Sequence, residues 1–178
     1  MAHALSIYLP EQYNDPYQEL YDEVARLNGD YEPFPQYFTT FHGQEISLRE
    51  TNRKLRTRMR ISNVGKSNDN YALSDTYCNY HYLNYIAVKC WIDFAIERSP
   101  ASISHLSFGF KALNKIKLTD KALNNENTFS KEIASNLTSI ILENKDDQRV
   151  WLSIRMFANY AIENAFWGFN EELVFKLD

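Results

Sequence analysis

"YCNYHYLNYIAVKCWIDFAIE", Tyr77 to Glu97, is the stretch on which the reading of the fold turns. Tyr80, Leu83, Ala87, Trp91 and Phe94 recur at helical spacing on one side, and Asn79, Lys89, Asp93 and Glu97 fall on the other, so the spacing predicts an amphipathic helix over Tyr77–Glu97. Downstream the helical period continues. A second helix is expected from Pro100, with Ser99 as N-cap, to about Ile116. Its inward residues are Ile103, Leu106, Phe110 and Leu113, and its outward ones are Ser104, Ser107, Lys111, Asn114 and Lys115.

After the polar connection "TDKALNNEN", Ile133, Leu137, Ile140 and Ile141 predict a third helix from Ser130 to about Glu143. Val150, Ile154, Phe157 and Ala161 predict a fourth from Asp146 to Phe166, closed by Gly168 at its C′ position. A fifth is announced by Asn170 as N-cap, Glu171 and Glu172 in the first turn, and Phe169 and Val174 at staple spacing. Asp178 follows within a few residues, which reads as a cut in a longer protein.

Upstream of Ser74 the pattern differs. "NDPYQELYDEVARLNGD" predicts a short helix with Asp15 as N-cap, Pro16 at N1, Leu20, Val24 and Leu27 inward, and Gly29 as its stop. "YFTTFHGQEISL" reads as two short strands about a turn at His42 and Gly43. In "KLRTRMRISNV", Leu55, Thr57, Met59 and Ile61 alternate with Arg56, Arg58 and Arg60, the period of a half-buried strand with a cationic face. "GKSNDN" then reads as a linker. The chain therefore divides into an appendage, 1–70, and a helical domain, 71–178. The fold class is mainly α: a bundle of four to five helices with a small N-terminal antiparallel β element.

Five Gly and five Pro among 178 residues favour long regular elements. No apolar run has transmembrane length and the N-terminus lacks signal-peptide features, so no membrane partner is expected and the location is read as cytoplasmic. Cys78 and Cys90 lack metal-type spacing and read as reduced structural thiols. His3, His42, His81 and His105 are isolated, and His81 reads as a core or boundary residue rather than a ligand. No phosphate loop, metal spacing or nucleophile motif occurs, so neither cofactor, metal nor catalytic residue is assigned.

The charge is uneven. The net charge is −4, yet the stretch from Arg49 to Lys66 carries +6 and the remainder −10. Arg53, Lys54, Arg56, Arg58 and Arg60 are candidates for phosphate contact, the alternate arginines standing about 7 Å apart along a strand. A solvated strand face, protection of a sheet edge, or pairing with acids elsewhere would give the same pattern. Ser102, Ser104, Lys111 and Lys115, on a segment without acids, are a second candidate set, since helix amides, hydroxyls and ammoniums position proteins on DNA phosphates.

The stretches "NYIAVKCWIDFAIERSPASISHLSFGFKAL" and "RVWLSIRMFANYAIENAFWGFNEELVFKL" resemble the N-terminal, core-binding region of site-specific tyrosine recombinases, the phage-integrase family. The shared pattern is a helix, a Ser-Pro-x-Ser opening at Ser99–Ser102, a second helix, and a late helix ending in a Gly-Phe turn. The resemblance covers about Ser74 to Asp178. It implies a bundle of the SAM-like core-binding type that forms half of a clamp around double-stranded DNA. It also implies a C-terminal catalytic domain as partner, and an appendage that touches flanking DNA or a neighbouring copy in an oligomer on DNA. The family's catalytic domain carries arginines, a lysine, histidines, a tyrosine nucleophile and an HxxR motif. No histidine here has an arginine three residues on, so this chain is not expected to be an enzyme by itself. The alternative is a helical protein-interaction or regulatory module without DNA binding, using an apolar patch of Trp167, Phe169, Val174 and Phe175.

Overall fold

The computed structural model describes residues 17–41, 43, 45–50, 58–64, 71–98 and 105–171, with 45–47, 49–50, 58–64 and 71–72 described through their backbone pairing. The architecture is mainly helical with one small sheet. Its elements are α1 (Gln18–Asn28), β1 (Tyr37–Thr39), β2 (Glu45–Glu50), β3 (Arg58–Val64), β4 (Tyr71–Ser74), α2 (His81–Glu97), the single turn α3 (Leu106–Gly109), α4 (Glu126–Glu143) and α5 (Gln148–Glu163). A 3-10 segment, Phe110–Lys115, continues α3 without a break. No helix among the described residues is long and apolar enough to cross a membrane.

α2 is the axis of the molecule. The Tyr77–Glu97 expectation of one apolar side is corrected, because Tyr82, Tyr85, Ile86, Val88, Cys90 and Ile92 are buried together with Leu83, Ala87 and Trp91. A helix apolar all round is one that neighbours cover on every side. α2 also starts four residues later than its spacing suggests. Asn84, itself buried, turns the preceding segment back: its Oδ1 accepts from the backbone N–H of Tyr77 at 2.8 Å and of Cys78 at 3.1 Å, and its Nδ2 donates to the Cys78 carbonyl at 3.0 Å.

α1 packs on α2 through Leu20, Tyr21 and Val24, and Gly29 ends it at a φ of 92°. Asp15 and Pro16, expected at its start, lie outside the described residues. The four strands form an antiparallel meander in the order β1-β2-β3-β4. The boundary at 70/71 falls between β3 and β4, which pair in this sheet, and one buried cluster runs from Leu20 to Phe169. Phe38 and Leu73 on one face of the sheet are buried, and Leu48 packs against the same core.

The second helix expected over Pro100–Ile116 is a short turn followed by the 3-10 segment, with 99–104 outside the described residues. Leu106, Phe110 and Leu113 are fully buried as expected, whereas Ser107 points to a buried tyrosine rather than to water. Gly109 makes the close approach to α5 possible, because a Cβ there would overlap Ser153 and the Arg149 carbonyl. α4 begins at Glu126 rather than Ser130, since Asn125 caps it by accepting from Thr128 N at 3.0 Å.

α5 ends at Glu163, three residues short of its expected end, and Gly168 is not its C′ residue. The terminus is a Schellman motif in which Ala165 donates to the Ile162 carbonyl and Phe166 to the Ala161 carbonyl. Ala165 takes the left-handed position at φ 55°. Replacing Ala165 with Gly is therefore expected to stabilise the chain by about 0.5–1 kcal/mol, measured as a raised urea midpoint at unchanged slope. Gly168 is needed elsewhere: its φ is 82° and a Cβ there would overlap the ring of Phe129.

Two further expectations are corrected. His81 is exposed at the start of α2, 3.6 Å from Glu19, and is no core residue. Of the apolar patch assigned to partner binding, Phe169 is buried and Trp167 packs on the core, while Val174 and Phe175 lie outside the described residues, as do Glu172 and the helix expected with them.

Candidate nucleic-acid interface

Strand parity divides the sheet's residues into two sets. Phe38, Ile46, Leu48, Met59, Ile61 and Leu73 share the face that carries the buried residues, by their register across the four strands. Tyr37, Thr39, Glu45, Ser47, Arg49, Arg58, Arg60, Ser62, Val64, Ala72 and Ser74 share the opposite face, Glu45 at the far end of β2 from Arg49. Tyr37 on that face is 73 % exposed, which identifies it as the solvent side.

Arg60 stands directly opposite Arg49, and Arg58, two residues away on the same strand, stands opposite Ser74. Directly opposed residues lie about 4.5–5.5 Å apart between Cα atoms, and alternate residues about 7 Å apart. Three arginine positions are thus gathered on the sheet face opposite the buried one. Like charges opposed across strands are destabilising unless something neutralises them. β3 lies inside the sheet, so protection of a sheet edge does not account for its arginines. Arg53, Lys54 and Arg56 lie outside the described residues.

The sheet meets the second basic segment at the end of β4. Ser74 N donates to the Tyr77 hydroxyl at 3.1 Å, and that hydroxyl lies 3.3 Å from Ser107 Oγ in α3. Burial pushes the Tyr77 phenol up to about 12, so it remains protonated and holds this junction at neutral pH. Ser74 is the register partner of Arg58, which brings that end of β3 toward the start of the Leu106–Lys115 segment, at Ser107. There Lys111 and Lys115 are exposed, and the Lys111 ammonium lies 5.8 Å from the centroid of the Phe108 ring. Arg149 stacks on the same ring at 4.0 Å and pairs with Asp147 at 3.3 Å, and the two contacts together hold it at the surface. Ser102 and Ser104 lie outside the described residues.

Sequence reasoning counted Arg49 in the basic run without placing it, and it passed over Arg149. The residues between β2 and β3 are too many to define a register, and Arg149 reaches Phe108 from another helix. Neither position carries a signal of its own in the sequence.

Cys78 and Cys90 are buried and unbonded to each other, and burial pushes the Cys78 thiol up to about 12. Among the described residues no group of three or more His, Cys, Asp and Glu side chains is arranged to hold a metal ion. No family model, no curated protein and no solved structure matches this chain.

Proposed function

We propose that this chain binds double-stranded DNA through the solvent face of its sheet and the adjoining Lys111–Lys115 segment. It would serve as the DNA-binding N-terminal region of a site-specific tyrosine recombinase whose catalytic chemistry resides in a separate domain. The observation that carries the DNA reading is the register that sets Arg49 opposite Arg60 with Arg58 beside them. Such a cluster is costly until an anion shares it, and its spacing is comparable with that of successive phosphates on a nucleic-acid strand. The overall charge of −4 does not oppose this, because screening limits attraction at physiological salt to about 8 Å. Burial of Phe169 and partial burial of Trp167 weaken the interaction-module alternative.

Fluorescence anisotropy of a labelled duplex, measured at several salt concentrations, tests the reading. Replacing Arg49, Arg58 and Arg60 together with Gln is expected to flatten the slope of log affinity against log salt by about 2.7, at roughly 0.9 per lost phosphate contact. Lys111→Ala with Lys115→Ala should flatten it further, and Lys145→Ala, before α5, should leave it unchanged. Absence of any duplex binding by the parent chain at low salt would refute the proposal.

A further inference from the structure

Where α1, α2 and the end of α5 meet, a cavity of about 240 Å³ opens, lined in part by Asp30, Glu32, Tyr85, Lys89, Asp93 and Tyr160. Tyr85, Lys89 and Asp93 are successive one-turn neighbours on α2, and none of the six belongs to the basic sheet face. Sequence periodicity assigned Lys89 and Asp93 to a solvated side of that helix. Lys89 is instead buried to 11 % side-chain exposure, with its ammonium 3.3 Å from Oε2 of Glu32, whose own side chain is 78 % exposed. A lysine this deep requires an anion, and the one it has stands mostly in water, where an ion pair is weak and easily opened.

The opposite charge is also represented. Tyr160 donates its hydroxyl to Oδ2 of Asp93, while Oδ1 has no hydrogen bond among the described residues. Burial, with Asp93 beside it, pushes the Tyr160 phenol far above its ordinary value and keeps it a donor. The Tyr85 hydroxyl donates to the Glu32 carbonyl at 2.6 Å and accepts from Glu32 N at 3.2 Å, which fixes the backbone of the rim while leaving the Glu32 carboxylate free to swing.

We propose that this cavity binds a small zwitterion of the free α-amino acid class. The ligand carboxylate displaces the exposed Glu32 side chain and takes the Lys89 ammonium. Its own ammonium sits on the open oxygen of Asp93, between the rings of Tyr85 and Tyr160. Lys89 and Asp93 stand one helical turn apart on the same side of α2, so one small ligand can meet both charges at once. A ligand with only a positive charge leaves Lys89 dependent on Glu32. One with only a negative charge faces Asp30 and Asp93.

The test is binding of each of the twenty common amino acids to the full chain at millimolar concentration, by saturation-transfer NMR and then calorimetry. At least one should bind, and its amide and its deaminated acid should each bind about tenfold more weakly or worse. In Lys89→Gln the preference for the amino acid over its amide should vanish. In Asp93→Asn the preference over the deaminated acid should vanish. Binding by none of the twenty, or an amide that binds as tightly as its amino acid, overturns the proposal. Should either variant fail to fold, the comparison of the three ligands on the parent chain decides by itself.

Discussion

Phe129→Ala is expected to destabilise the chain by about 3–5 kcal/mol, the range for removing a large buried aromatic ring. Phe129 is fully buried, and its ring centroid lies 5.9 Å from that of Tyr82, 5.0 Å from Trp167 and 5.7 Å from Phe169. The site cannot collapse easily, because Gly168 passes directly against the ring with no side chain to move in. Tyr82 is held by its hydrogen bond to the Trp167 carbonyl at 2.8 Å, and Ser130 by its bond to the Gly168 carbonyl at 2.7 Å. At about 2–4 °C per kcal/mol for a chain of this size, Tm should fall by roughly 6–20 °C. Calorimetry measures it directly, and a loss under about 1 kcal/mol would mean that the aromatic cluster repacks.

The second large effect is expected at Asn84. In Asn84→Leu the volume is nearly kept, yet the backbone N–H groups of Tyr77 and Cys78 and the Cys78 carbonyl lose their partner. Each buried polar group left unpaired costs about 1–3 kcal/mol, so a total of about 3 kcal/mol or more is expected in urea unfolding. The change reaches the proposed interface as well. Asn84 holds the segment that carries Tyr77, and the Tyr77 hydroxyl joins Ser74 to Ser107. Duplex affinity in Asn84→Leu should therefore fall while the chain is still folded, whereas Phe129→Ala, distant from that junction in the hydrogen-bond scheme, should leave affinity near the parent's. Equal affinities in the two variants would show that the junction does not order the basic face.

Periodicity by itself determined the helical class, the strand alternation around Met59 and Ile61, and most of the inward residues of α1, α4 and α5. These are local properties, since an apolar face at a fixed period needs only one partner surface to bury it. The start of α2 was not legible, because Asn84 competes for the backbone of residues seven and six positions earlier. Gly168 drew the C′ assignment because glycine usually fills it, while Ala165 carries the left-handed turn and Gly168 answers to Phe129 from another helix. Lys89 and Asp93 look like a solvated stripe in the sequence, yet α1 and α5 close over that side and turn it into a cavity wall. The basic stretch was visible as composition, and its pairing was not. Whether Arg49 faces Arg60 depends on a register set by backbone hydrogen bonds across a connection whose length the side chains do not encode. A slip of one residue would have sent those arginines to the core side, so what excludes it is the tertiary requirement that Phe38, Leu48 and Leu73 be buried.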